Sequence, residues 1–131
     1  MATRFVPEKI VPRLQADLIQ RYGGRRGLRD PGLLSSAMAQ PRATAEGKYV
    51  HRTIFDKAAA YGYHLARNHP FVDGNKRIAF VVMDIFLQMN GWQIDAPEKE
   101  VYKTVSDLAA GETSKAALAK WLKANSSRLS P

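Results

Sequence analysis

His69, Asp73, Lys76 and Arg77 fall within nine residues of the stretch "NHPFVDGNKRIAF", which runs from Asn68 to Phe80. Between them they supply a group that takes up protons near neutral pH, a carboxylate and two cations. The segment that follows carries Ile78, Phe80, Val81, Val82, Ile85, Phe86 and Met89. On a helix these cover nearly every side, and a helix apolar all round belongs in the core. Lys76 and Arg77 therefore open a helix expected to be buried. There they face the positive end of its dipole, which is unfavourable by about 0.3–1 kcal/mol each. An anion removes the conflict. Free backbone N–H groups, the dipole and two cations together make a phosphate pocket. Gly74 has no Cβ, so its backbone can approach a ligand closely.

Asp73 would repel a phosphate unless a cation stood between them. Magnesium prefers one or two carboxylates plus phosphate oxygens, so Asp73 reads as a metal ligand and the anion as a polyphosphate. His69, just ahead of the loop, can accept the proton of an attacking hydroxyl. Base, metal ligand, anion pocket and clamp are the parts of a phosphoryl or nucleotidyl transfer site. Phe71 reads as a core anchor for the loop. Each residue taken singly has an ordinary explanation: a structural histidine, a turn aspartate, two cations reaching for solvent. Four such explanations must then coincide beside one buried helix. His51 and His64 have no comparable neighbourhood and read as structural.

The elements that must position this loop are mostly helical. Ile10, Leu14, Leu18 and Tyr22 form one apolar stripe, with Pro12 in the first turn and Gly23-Gly24 as the stop. "DPGLLSSAMAQP" reads as a short helix with Asp30 as N-cap and Pro41 as its end. Residues 42–53, "RATAEGKYVHRT", lack helical periodicity. They read as a loop or a small hairpin, with pieces Arg42–Ala45 and Lys48–Thr53 turning at Glu46-Gly47. Helix resumes from Phe55 to Asn68, where Pro70 forces Asn68-His69 out of helix. The apolar helix spans Asn75 to Asn90 and ends at Gly91. "WQI" reads as a short extended piece. Pro97 opens a further helix to about Ala110, Thr113 caps a last one, and the tail "NSSRLSP" is expected to fray. The fold class is all-α: a compact bundle of about six helices, as one domain over residues 1–131, with a small β-hairpin as the alternative to a loop at 42–53.

Composition narrows the chemistry further. The chain has 131 residues, no cysteine and a net charge of +8. Disulfides, thiolate catalysis and zinc held through sulfur are excluded. No segment approaches a membrane span, and no apolar run follows the N-terminal charge as in a signal peptide, so a cytoplasmic location without membrane contact is expected. The basic balance suits phosphates, nucleic acid or an acidic protein. The basic residues are neither interleaved with aromatics nor gathered in a continuous arm, so direct nucleic-acid binding is disfavoured.

The segment His69, Phe71, Asp73, Gly74, Asn75, Lys76, Arg77 resembles the motif of the Fic/Doc family, His-x-Phe-x-Asp/Glu-Gly-Asn-Gly-Arg. The resemblance extends to "RYGGRRGLRDPGLLSSA", "FLQMNGW" and "AAGETS", most of the chain, and is nearest to the Doc (death-on-curing) toxins of toxin–antitoxin pairs. It implies the Fic/Doc helical fold and ATP and Mg²⁺ as cofactors. Carried over residue by residue, it implies His69 as base and Asp73 as metal ligand. Gly74, Asn75 and Lys76 form the phosphate pocket, and Arg77 is the clamp. Two departures bear on the reaction. Lys76 stands where adenylylating members have glycine, and in Doc-type members this lysine goes with ATP bound in the reversed sense. Phe80 stands where those members have a second arginine. Both imply a kinase, transferring the terminal phosphate to a protein hydroxyl, for which the resemblance suggests translation elongation factor Tu. A flap near the site docks the target in this family, and residues 42–53 are the candidate. The family's inhibitory helix, Ser/Thr-x-x-x-Glu-Gly/Asn, matches at no glutamate. Neutralisation is therefore expected in trans, by an acidic, partly disordered antitoxin folding onto the basic surface. Adenylylation at the same site, a basic nucleic-acid-binding or cleaving toxin, and a catalytically dead binding module are the alternatives.

Overall fold

A computed structural model of the chain describes residues 2–129. Among these residues it is built from six α-helices and two small antiparallel strand pairs. The helices are α1 (Val11–Tyr22), α2 (Pro31–Ala39), α3 (Ile54–Asn68), α4 (Asn75–Met89), α5 (Glu98–Ala109) and α6 (Lys115–Ala124). The strands are β1 (Thr44–Ala45), β2 (Lys48–Tyr49), β3 (Trp92–Ile94) and β4 (Ser126–Arg128). The all-α reading holds.

α3 is the central helix. Asp56 and Thr53 close a capping box at its start, each side chain accepting from the other's backbone N–H. Ala58, Ala59, Ala60, Tyr61, Gly62, Leu65 and Ala66 are all buried along it. Their small size lets α4 lie close: a Cβ on Gly62 would collide with the sulfur of Met83. Tyr61, Phe86, Leu65, Ile78 and Met83 fill the core between these two helices. The Tyr61 hydroxyl stays satisfied there by accepting from the Val6 N–H at 3.0 Å.

Several local expectations are corrected. α4 is not buried all round. Ile78, Ala79, Val82, Met83, Phe86 and Leu87 face inward, whereas Phe80, Val81, Ile85 and Met89 are half-buried. On α1 the apolar stripe is likewise half-buried and Tyr22 is 60% exposed, while Val11 and Gln15 point inward. Two polar loops meet beneath that face, and their backbone groups select a glutamine over a leucine. The second helix continues past Ala39 as a 3₁₀ turn, Gln40–Arg42, through Pro41. Ser114, not Thr113, caps α6 by accepting from the Ala117 N–H at 3.0 Å.

The 42–53 segment is a hairpin, but a shorter one than the two extended pieces predict. Thr44 pairs with Tyr49 and Ala45 with Lys48. The two residues between them, Glu46 and Gly47, have φ of 53° and 78°, the pattern of a tight hairpin turn. The Tyr49 ring lies 5.9 Å from that of Phe5, and the Lys57 ammonium sits 4.3 Å above it. The C-terminal segment is ordered through Leu129 rather than frayed, because β4 pairs with β3, Trp92 opposite Arg128. The Arg128 guanidinium also lies 4.9 Å over the Trp92 ring. Ser130 and Pro131, the rest of the expected frayed tail, lie outside the described residues.

His64 does have a distinctive neighbourhood. Its Nε2 lies 3.1 Å from Lys115 Nζ, so the ring must be neutral to accept that bond. Burial, then Lys115, then His51 push its pKa from 6.5 down to about 4. Below pH 6.5 the unfolded chain therefore takes up a proton that the folded chain refuses. Stability should be fully present above that value and decline as the pH falls toward 4. Urea denaturation at pH 5 is expected to give a stability about 1–2 kcal/mol below that at pH 7.5, allowing for partial solvent access. In His64→Gln the slope should flatten; an equally steep profile would assign it to other groups.

Candidate functional site

The site is a loop laid between two helices. α3 ends at Asn68, and α4 begins at Asn75. Within the connection Phe71 is fully buried. The Asn75 side chain grips it from both directions: Oδ1 accepts from the Phe71 N–H and Nδ2 donates to the Phe71 carbonyl, each at 2.9 Å. A turn so closed needs a left-handed residue at its end. Gly74 supplies it with φ 76°, and a Cβ there would have ordinary room beside Ile19. Backbone conformation, rather than crowding, is thus the local demand for glycine. The Asn75 side chain is committed to Phe71, so what it can offer an anion is its backbone N–H.

His69, Asp73, Gly74, Asn75, Lys76 and Arg77 all line one cavity of about 280 Å³, together with Val72 and Tyr102. Every polar residue singled out from the sequence is therefore brought to one place. His69, Asp73, Lys76 and Arg77 are exposed. Among the described residues neither Lys76 nor Arg77 has a carboxylate partner. α4 has no side-chain N-cap and no acidic residue in its first turn. Its free N–H groups, the dipole and two unpaired cations converge on the cavity, an arrangement that favours an anion. Arg77 is steadied by a cation–π contact, its Cζ lying 4.6 Å from the centre of the Tyr22 ring.

Asp73 is held by a second loop, residues 23–30. Its Oδ2 accepts from the Arg25 N–H and its Oδ1 from the Gly74 N–H, both at 3.1 Å. Each carboxylate oxygen thus keeps an open lone pair. Gly24 is forced by this approach: φ is 110° and a Cβ would lie 2.7 Å from Asp73 Oδ2. Gln15, 1% exposed, ties the two loops together. Its Nε2 donates to the Asp73 and Arg25 carbonyls at 3.1 Å, and its Oε1 accepts from the Gly27 N–H at 3.3 Å. Backbone bonds complete the seam: Val72 N–H to the Gly27 carbonyl, and the Arg29 and Asp30 N–H groups to the Pro70 carbonyl. Among the described residues no group of three or more His, Cys, Asp or Glu could hold a metal ion. One carboxylate with open lone pairs suits magnesium that arrives on a phosphate, not a metal in an all-protein cage.

An apolar recess of about 230 Å³ adjoins the cavity and shares Lys76, Arg77 and Tyr102 with it. Its remaining walls are Leu18, Tyr22, Phe80, Val81, Val101 and Val105, with Glu98 at the edge. The sequence reading missed Gln15, Tyr22, Tyr102 and the 23–30 loop as parts of the site. Only the loop left a trace, in the dense glycines and arginines of "RYGGRRGLRD".

A helix start with free N–H groups and two cations, with a carboxylate and a histidine on the same cavity, is an arrangement suited to an anion within an all-helical fold. A model of the Fic/DOC family matches residues 5–87. The chain is 48% identical over 75 residues to the protein named "Toxin Doc" of Mycolicibacterium smegmatis, a stretch covering 57% of this chain and 58% of that protein. It is 34% identical over 106 residues to "Protein kinase doc" of Escherichia phage P1, covering 80% of this chain and 78% of that one. The chain belongs to the Fic/DOC family.

Asn75→Ala would leave the buried Phe71 N–H and carbonyl without partners. Urea unfolding should show a loss of about 2–4 kcal/mol. A loss under about 1 kcal/mol would mean that the Asn75 grip does not hold the loop.

Proposed function

We propose that this protein is a Doc-type toxin that phosphorylates a protein hydroxyl with ATP, the target being translation elongation factor Tu. The observation that carries the reading is the unpaired Lys76 and Arg77 at an uncapped helix start, with His69 and Asp73 on the same cavity. In the proposed reaction the phosphate chain lies on the N–H groups of Asn75 and Lys76, while Gly74, whose N–H is held by Asp73, lets the backbone approach it closely. Asp73 would hold Mg²⁺, which when bound would supply neutralisation of phosphate charge. His69 removes the proton of the target hydroxyl as its oxygen attacks the terminal phosphorus. The bond from that phosphorus to the bridging oxygen breaks, ADP leaves, and His69 later returns its proton to solvent. Lys76 and Arg77 stabilise the transferring group.

The choice of phosphate over AMP rests on what lies beyond Arg77. Phe80 and Val81 make that wall apolar, and Glu98 adds negative charge. Polyphosphate running in that direction would lose its cationic partners. The relative named a protein kinase has the same sense. The exposed hairpin at Thr44–Tyr49 offers an unpaired strand edge, but Tyr49 packs on Phe5 and Lys57 at the start of α3, so a target docked there would have to extend ~18 Å along the helix to reach His69. A net charge of +8 suits an acidic antitoxin as the neutralising partner. The cell compartment of such a target is the cytoplasm; among the described residues no helix is long and apolar enough to cross a membrane.

Mass spectrometry of elongation factor Tu incubated with the protein, ATP and magnesium tests the proposal. The expected gain is one phosphate, with His69→Ala at least ~100-fold slower. A gain of AMP would replace the kinase with an adenylyltransferase. Lys76→Gly should lower phosphate transfer ~10-fold or more; unchanged transfer would remove Lys76 from the reaction.

A further inference from the structure

The backbone beneath His69 is in an unfavourable state. His69 follows the last residue of α3 and is left-handed, with φ 53° and ψ 53°. For a residue other than glycine this conformation is disfavoured. A helix that ends this way usually bonds the N–H of the left-handed residue, and that of the residue after it, back to carbonyls in its last turn. Here the next residue is Pro70, which has no N–H. The second of those bonds, back to the Leu65 carbonyl, is therefore missing, and the carbonyls of Asn68 and His69 lie beyond those that such an ending serves, so their donors must come from elsewhere.

Arg29 supplies them. Its Nε donates to the His69 carbonyl at 2.9 Å, and its Nη2 donates to the His69 carbonyl at 2.6 Å and the Asn68 carbonyl at 3.1 Å. The backbone N–H groups of Arg29 and Asp30 take the third consecutive carbonyl, that of Pro70, at 2.8 and 3.0 Å. The clamp is itself fixed. Asp30 caps α2 by accepting from the Leu33 N–H at 3.0 Å, and Asn68 Nδ2 donates back to the Leu33 carbonyl at 3.0 Å. Although exposed, Arg29 has no carboxylate partner among the described residues. Its guanidinium is spent on backbone carbonyls.

We infer that Arg29 is a positioning residue for His69. This rests on the reading of His69 as the base. The left-handed backbone sets the direction of the Cα–Cβ bond, and with it the side of the loop on which the imidazole stands. Release of the two carbonyls lets His69 relax to the common backbone regions, which swings the ring away from the cavity that Asp73, Lys76 and Arg77 line. Arg29 does not line the cavity, and its guanidinium bonds backbone carbonyls rather than the imidazole. Its loss should therefore reduce turnover and leave nucleotide binding alone.

The test uses Arg29→Met and Arg29→Lys in the full chain, with His69→Ala beside them. The imidazole resonances of His51, His64 and His69 are recorded by NMR on histidine-labelled protein. In Arg29→Met the His69 resonance should shift and broaden while those of His51 and His64 stay in place. Phosphate transfer to elongation factor Tu should fall ~10–100-fold in kcat, with KM for ATP within ~2-fold. Arg29→Lys, which can reach one carbonyl but not both, should recover part of the rate. An unmoved His69 resonance, or a full kcat in Arg29→Met while His69→Ala is inactive, would overturn the inference. If all three resonances move together, Arg29 is only a fold-wide support and the inference also falls. Absence of transfer by the unmutated protein would count against the kinase reading instead, and the resonances would still decide whether Arg29 holds His69.

Discussion

Everything at the site depends on how Phe71 is seated. Its ring is fully enclosed, which contributes about 2–3 kcal/mol. Its N–H and carbonyl are both taken by one amide, that of Asn75. These two facts turn a flexible connection into a fixed one. His69 lies two residues before the anchor, Asp73 two after it, and Lys76 and Arg77 begin the helix that Asn75 opens. A shift of the anchor would move all four polar groups relative to one another. The strain of a left-handed His69 is tolerable because the anchor and the Arg29 contacts over-determine that backbone.

A loop that carries function cannot bury its own backbone groups without partners. Here the partners come from a second loop far off in sequence. Residues 23–30 lie alongside residues 69–75, and Gln15 spans both. This explains why α1 turns a glutamine inward and leaves its leucines half-buried. It also explains Gly24: the Asp73 carboxylate approaches so closely that no side chain fits. The motif is therefore local in sequence and the scaffold that orients it is not. Arg25 contributes a backbone N–H to Asp73, while its side-chain identity is free of that task.

What could be read from the sequence follows the range of the forces involved. Helix ends were legible where a side chain caps its own helix, as with Asp30, or where proline forbids continuation, as before Pro70. The order of elements and the grouping of His69 through Arg77 were legible for the same reason, since spacing along one loop needs no tertiary knowledge. The failures have a common cause. Val11 and Gln15 replaced the expected stripe on α1 because tertiary partners, not periodicity, choose the inward face. The tail pairs as β4 because Trp92 and Gly91 await it, and neither neighbour is visible in "NSSRLSP" itself. Ser114 rather than Thr113 caps α6, a displacement by one residue that cap chemistry alone cannot resolve.

The half-burial of α4 ties the fold to the proposed chemistry. Had Phe80 and Val81 been packed like Ile78 and Val82, the first turn of α4 would be walled in and Lys76 and Arg77 could not reach a ligand. Instead the helix buries one side against α3 and leaves the other beside α1 and α5, with a recess between. Cations at the start of that helix face water on one side and an apolar wall on the other. Their field is strongest toward the uncapped N–H groups and weakens toward Phe80 and Glu98. On the proposed reading, a polyphosphate bound there would be given a direction as well as a place. Tyr22, by its contact with Arg77, sets where the charge sits along that gradient, so the last residue of α1 shapes a site whose chemistry is carried 47 to 55 residues further along the chain.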